Sequence, residues 1–95
     1  MLIVKYERMD FFGQLIYTED KNNRPELQDV KKCFQFMKKN RDVTIQINND
    51  VYYWNSIPDY ENEIISIRYY DDRGNYTEEK KSFEKCKKEI YAAWK

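Results

Sequence analysis

Three carboxylates close together in the sequence are the side chains whose type and spacing could do chemistry. Asp59, Glu61 and Glu63 alternate, so they would project from one side of the chain if that segment is extended. Such a group could hold a divalent cation, act as a general acid–base pair, or form an acidic surface for a basic partner. A solvated strand edge that deters aggregation is the simpler alternative. Among the functional readings, the pattern favours the acidic surface.

The residue types that are absent restrict catalysis further. The chain has no histidine, two glycines that are not in a run, and two cysteines far apart in the sequence. These absences exclude histidine-based nucleophile pairs, a glycine-rich phosphate loop and the usual zinc motifs. Cys33 and Cys86 fall at apolar-stripe spacing on predicted helices, which is typical of small buried thiols. The sequence therefore predicts a protein that is not an enzyme and that uses neither a metal nor a cofactor.

Charge and aromatic residues are segregated along the chain. Residues 42–79 contain nine acidic side chains against two arginines, together with six of the nine tyrosines and Trp54. The flanks are basic, with net charges of +3 for residues 1–41 and +4 for residues 80–95, although the formal net charge is zero. Acidic side chains that lie among large amphipathic aromatic rings are typical of a recognition surface.

The length of 95 residues predicts one domain spanning 1–95. No apolar run is long enough for a membrane span, and the first residues do not form a signal peptide, so we expect no membrane association and a cytoplasmic location. Lysine, asparagine, isoleucine and tyrosine are abundant, and A/T-rich codons encode them. This bias indicates a low-GC bacterium or one of its mobile elements.

The first half of the chain reads as a hairpin followed by a helix. Strands are predicted over 2–8 and 11–18, around a turn at Met9–Asp10. A helix is predicted over about 25–39, with Asn23 as its cap. Its apolar stripe consists of Leu27, Val30, Phe34 and Met37, widened by Cys33.

A second hairpin joins the segments VTIQI and VYYW. A two-residue loop at Asn49–Asp50 would place Tyr52 and Trp54 in the core and Tyr53 outside. A three-residue loop would instead bury Val51 and Tyr53 and expose the other two rings. We favour the two-residue loop, because tryptophan is the costlier ring to leave in water.

The rest of the chain reads as a strand, a turn and a second helix. Residues 63–70 alternate so that Tyr69 faces the core and Tyr70 faces away from it. The turn 71–75 follows, and the second helix is predicted to begin near Thr77. The order ββαβββα predicts an α+β two-layer sandwich, with a mostly antiparallel sheet of about five strands and two helices on one face.

These features predict a non-enzymatic protein-binding module. Its size and character suit a small antagonist or inhibitor of another protein, of the phage counter-defence or toxin-immunity type. An acidic, tyrosine-rich surface would bind a protein with a basic surface and could mimic nucleic acid there. The predicted partner-binding residues are Tyr53, Tyr60, Tyr70, Asp50, Asp59, Glu61 and Glu63.

Two alternatives belong to other functional classes. A nucleic-acid-binding protein would use the lysine-rich helix around Lys80–Lys88, although the net charge of zero and the absence of a nucleic-acid motif argue against it. A self-assembling structural component of a phage or mobile element would use an exposed edge strand and aromatic side chains. The sequence leaves the oligomeric state open.

Overall fold

The computed structural model describes residues 2–7, 14–19 and 27–93, which form an α+β fold. The predicted turn at Met9–Asp10 and the predicted cap at Asn23 lie outside the described residues. In chain order the elements are β1 (Leu2–Glu7), β2 (Gln14–Glu19), α1 (Leu27–Lys39), β3 (Val43–Ile47), β4 (Asp50–Tyr53), α2 (Ile57–Glu61), β5 (Ile64–Tyr70), β6 (Tyr76–Ser82) and α3 (Phe83–Ala93).

Within the described residues, the strands form one antiparallel sheet in the spatial order β2-β1-β3-β4-β5-β6. Strand β1 lies between β2 and β3, so the connection through α1 carries the chain across β1 before it enters β3. From β3 onwards each strand pairs with the next one along the chain. Helix α1 packs on β3, and α3 packs on β5, β6 and α1. The two longer helices therefore share one face, as predicted.

The predicted count of five strands and two helices is wrong in two places. The segment around Ile57–Pro58, expected to be a connector, is the short helix α2, because Ser56 accepts a hydrogen bond from the Asp59 N–H at 3.2 Å and proline suits the first turn. The segment Tyr76–Ser82, expected to include the start of the last helix, is strand β6. The described residues thus contain six strands and three helices.

The last helix begins where a different cap is available. The N–H of Lys85 donates to the Ser82 hydroxyl at 3.1 Å, which makes Ser82 the capping residue. Thr77 and the glutamates after it resemble a helix start, but their backbone pairs with β5 over the full length of β6. Pairing with a neighbouring strand overrides the local helix signal.

The hairpin of β3 and β4 places its rings as predicted, through a loop one residue earlier than expected. The loop is Asn48–Asn49, and Asn48 adopts a positive φ of 56°, which asparagine tolerates better than most residues. Tyr52 lies opposite Ile45 in this register. Tyr52 and Trp54 are buried, whereas Tyr53 is half-buried on the opposite face of the sheet.

Phe34 occupies the middle of the core between the helices and the sheet. Its ring contacts the rings of Tyr52, Phe83 and Tyr91, with centroid distances of 5.8, 5.7 and 6.1 Å. The predicted burial of the two thiols is confirmed, since Cys33 and Cys86 both lie in the core. The core residues are Val30, Cys33, Phe34, Met37, Val43, Ile45, Ile47, Tyr52, Trp54, Ile65, Ile67, Phe83 and Cys86.

Candidate protein-binding surface

The face of the sheet away from α1 and α3 carries a group of aromatic and charged side chains. Ile65 and Ile67 point into the core, so the alternation of β5 turns Arg68 and Tyr70 to the opposite face. We call this the open face. Cross-strand pairing places Glu78 opposite Arg68. We define the open-face cluster as Tyr53, Arg68, Tyr70, Tyr76 and Glu78.

Arg68 is the centre of the open-face cluster. Its guanidinium carbon lies 4.5 Å from the ring centroid of Tyr76 and 5.2 Å from that of Tyr53, so two aromatic rings contact one cation. The Nε of Arg68 donates to the Tyr53 hydroxyl at 3.2 Å, and that hydroxyl donates to Glu78. Hydrogen bonds to the hydroxyls of Tyr70 and Tyr53 raise the pKa of Arg68 above its usual value. The cation is therefore held in place and stays charged.

Tyr70 and Tyr76 extend the cluster to the end of the sheet. Their ring centroids are 5.2 Å apart, and Tyr76 is one of the most exposed large hydrophobic side chains described, at 49%. The turn beyond them is ordered by Asp71, whose carboxylate accepts hydrogen bonds from the N–H groups of Arg73 and Asn75, each at 2.9 Å. Gly74 supplies the positive φ of 85° that closes this turn. The exposed rings therefore border a fixed acidic loop.

The three alternating carboxylates do not form one acidic surface, because their segment is not extended. Asp59 lies within α2 and accepts from the Lys80 ammonium at 2.9 Å, with only 18% of its side chain exposed. Glu63 follows α2 with a positive φ of 55°, and its carboxylate lies 3.6 Å from the Lys38 ammonium. Glu61 borders an open depression of about 350 Å³ between α2 and the end of α1. The helix and the turn after it send these side chains in different directions.

Tyr60 turns towards the core and helps to end α1. Its ring meets that of Trp54 edge-on with centroids 5.1 Å apart, and its hydroxyl donates to the Lys38 carbonyl at 2.9 Å. Trp54 donates its indole N–H to the Met37 carbonyl, also at 2.9 Å. Both bonds go to carbonyls of the last helical turn, where the regular bonds to the residue four positions later run out. This placement gives Tyr60 a structural role, so it is not part of the surface proposed below.

Asp50 lies on the helix-covered side of the sheet. It pairs with Ile47 on one neighbouring strand and with Tyr69 on the other. Partial burial raises the pKa of its carboxyl above the usual value. Of the seven predicted partner-binding residues, only Tyr53 and Tyr70 lie on the open face.

The partner-binding residues predicted from the sequence do not include Arg68, Tyr76 and Glu78. The alternation of residues 63–70 already places Arg68 on the same side of the strand as Tyr70, so Arg68 could have been predicted from the sequence. Tyr76 and Glu78 join them only because β6 is a strand in register with β5. Their pairing depends on a contact across the sheet that no local pattern encodes.

The lysines near the C-terminus do not form one basic helical stripe. Lys80 and Lys81 belong to β6 rather than to a helix, and on the helix itself Lys87 lies 2.9 Å from Glu84. Lys81 is likewise 2.9 Å from Glu89. Much of this positive charge is thus matched within the chain.

No protein-family model matches the chain, and neither the curated proteins nor the solved structures contain a match to it. In the part of the chain that the structure describes, no group of three or more histidine, cysteine or acidic side chains could hold a metal ion. Over the same residues, no helix combines the length and the apolar character that crossing a membrane requires.

Proposed function

We propose that this chain is a non-enzymatic protein-binding module that binds its partner through the open face. The observation that carries the proposal is the open-face cluster, in which Arg68 is held between the rings of Tyr53 and Tyr76. Tyrosine and arginine are the residue types enriched at the energetic centres of protein interfaces. Here they lie side by side on a face that α1 and α3 leave uncovered.

The cluster is also organised before any partner arrives. Tyr53 is fixed by its bonds with Arg68 and Glu78, and the rings of Tyr70 and Tyr76 support each other. Side chains already held in one conformation lose little entropy when a partner binds, so more of their contact energy appears as affinity. This arrangement supports recognition of a folded surface.

The partner that this surface suits is a protein with a basic group beside apolar surface. Asp71 and Asp72 are exposed next to Tyr70, so a basic side chain could meet them while apolar groups cover the rings. An antagonist or inhibitor of a basic protein, of the counter-defence or immunity type, fits this chemistry. Mimicry of nucleic acid would rest on Asp71, Asp72 and Glu61, since Asp59 and Glu63 each lie close to a lysine.

One observation favours a second candidate function. A sheet face with several aromatic rings resembles the stacking platforms that bind single-stranded nucleic acid. Those platforms combine rings with unpaired positive charge, whereas here Arg68 and Lys80 each lie close to a carboxylate, Glu78 and Asp59 respectively. A gel-shift titration with single-stranded DNA and RNA at increasing salt would separate the two candidates.

The decisive experiment compares two exposed aromatic side chains on opposite faces. The chain is immobilised and exposed to an extract of its native host, in wild-type form and as Tyr76→Ala or Phe36→Ala. Tyr76 and Phe36 are similarly exposed, at 49% and 44%, but only Tyr76 belongs to the open face. We expect a protein that the wild type and Phe36→Ala retain and that Tyr76→Ala loses. Equal retention by all three would contradict the proposal.

A further inference from the structure

Strand β6 presents an unpaired edge. It is the last strand of the sheet and pairs only with β5 among the described residues. Six of its seven residues are exposed. A full-length strand edge of this kind is a template on which another strand can pair.

The hydrogen bonds at the two ends of the β5–β6 ladder fix which groups face that edge. The N–H of Asp71 donates to the Asn75 carbonyl, and the N–H of Phe83 donates to the Glu63 carbonyl, both at 2.8 Å. All four of these residues are odd-numbered, and hydrogen-bonded pairs alternate with non-bonded pairs in an antiparallel ladder. The odd-numbered residues of β6 therefore bond to β5. The N–H groups of its even-numbered residues, including Glu78 and Lys80, point outward.

The charges along β6 are complementary to those of a second β6. In a two-fold antiparallel pair, full overlap of the seven-residue strand places the axis at Glu79, its middle residue. Glu78 then faces Lys80 of the second copy, and Lys80 faces Glu78 of that copy. All four are even-numbered residues, so their outward-pointing N–H and C=O groups can bond to one another. Both side chains remain partly accessible, with 38% of Glu78 and 49% of Lys80 exposed, so each can add this contact to the one it already makes, Glu78 with Arg68 and Lys80 with Asp59.

The two neighbouring registers overlap less. Moving the axis by one residue in either direction shortens the overlap from seven residues to five. An axis at Glu78 places Glu78 opposite Glu78 and leaves no pair of opposite charge. An axis at Lys80 places Lys80 opposite Lys80, although Glu79 then faces Lys81 of the second copy. The full-overlap register also contains a like-charged contact, between Glu79 of one chain and Glu79 of the second copy. Each Glu79 already accepts a hydrogen bond from the Tyr69 hydroxyl at 3.0 Å and lies 3.7 Å from Lys81. Strand length therefore favours the full-overlap register over both neighbours, and charge disfavours the register centred on Glu78.

We propose that two copies of the chain pair antiparallel through β6 in this register. The two sheets become one continuous sheet, and the two-fold axis runs perpendicular to it, so both open-face clusters lie on the same side. Charged residues on an edge strand usually discourage pairing with other strands. Here two glutamates are followed by two lysines, so the strand repels many other strands but matches an antiparallel second copy.

The test measures self-association of the full chain by sedimentation over a range of concentrations. We expect the 11.8 kDa chain to form a dimer. Glu78→Lys places lysine opposite lysine, and Lys80→Glu places glutamate opposite glutamate, so each variant alone should dimerise about tenfold or more weakly. An equimolar mixture of the two variants should recover the dimer, because every pair across the interface is again of opposite charge. A wild-type chain that stays monomeric at every concentration would overturn the proposal.

A proline variant tests the backbone independently of charge. Lys80→Pro removes an N–H that points outward, whereas Glu79→Pro removes one that bonds to β5. We expect Lys80→Pro to keep the circular dichroism spectrum of the wild type and to lose the dimer, and Glu79→Pro to lose the folded spectrum as well. A dimer that survives Lys80→Pro, or a mixture of charge variants that stays monomeric, rejects pairing through β6.

Discussion

Tyrosine side chains lie on both faces of the sheet, but their surroundings differ between the two faces. Tyr52 and Tyr53 are neighbours in the sequence, yet Tyr52 is 2% exposed against Phe34 while Tyr53 lies beside Arg68 on the open face. On the covered face, rings pack against other rings and aliphatic side chains. On the open face, they pack against a cation and stay within reach of solvent. Packing against the helices, and not residue type, therefore separates the stabilising rings from the candidate binding rings.

We expect the largest loss of stability from substitutions on the covered face. Phe34→Ala removes a fully buried ring that three other aromatic rings contact, so we expect the free energy of unfolding to fall by about 3–5 kcal/mol. Tyr76→Ala, on the open face, should change it by less than about 1 kcal/mol. Urea denaturation of both variants measures the difference. Similar losses in the two variants would remove the distinction between the faces.

For binding to a partner we expect the opposite ranking, with the larger effect from substitutions on the open face. Tyr70→Ala should weaken association with the partner by about 2 kcal/mol or more if this ring is an energetic centre of the interface. The reason is that Tyr70 borders both Tyr76 and the acidic turn, where a partner would cover it. Titration calorimetry with the identified partner provides the measurement, and Phe36→Ala is the control on the other side of the molecule. Unchanged affinity in Tyr70→Ala would count against the open face as the binding surface.

The covered face was the more predictable of the two from sequence. The stripe of Val30, Phe34 and Met37 and the alternation of Ile65 and Ile67 are periodic patterns, and all five residues are buried in the core. Burial against one layer forces such periodicity, so the pattern reports the fold directly. The α+β class and the placement of two helices on one face followed from it.

The open face was harder to predict because it depends on pairing between strands. Thr77 followed by two glutamates carries the local signal of a helix start, and only the ladder with β5 makes that segment a strand. The three carboxylates failed as one surface for a similar reason, since Ser56 and Pro58 start a helix that the alternation of acids does not reveal. Tyr53 and Tyr70 were placed correctly because their own strands alternate clearly.

A smaller effect tests how the covered face satisfies its polar groups. Trp54→Phe keeps an aromatic ring but removes the indole N–H that donates to the Met37 carbonyl. We expect a loss of about 1 kcal/mol in unfolding free energy, because that carbonyl also accepts from the Asn40 N–H at 3.3 Å and is not left unpaired. Tyr60→Phe, which removes a more exposed bond to the Lys38 carbonyl, should cost less. A larger loss in Tyr60→Phe than in Trp54→Phe would contradict this ranking.

The smallest expected effect concerns Asp50, a predicted partner-binding residue that lies on the covered side of the sheet. Burial raises the pKa of its carboxyl in the folded state above its unfolded value, so the folded protein binds this proton more tightly than the unfolded chain does. Its contribution to stability is therefore greatest at low pH and is lost as the pH rises through the folded-state pKa. Asp50→Asn, which keeps the shape and removes the charge, should be more stable than the wild type at neutral pH. The gain should stay below about 1 kcal/mol, because solvent screens a carboxylate that is only partly buried. The two proteins should converge in acid, and an advantage of the variant that grows towards low pH would reverse the sign of this argument.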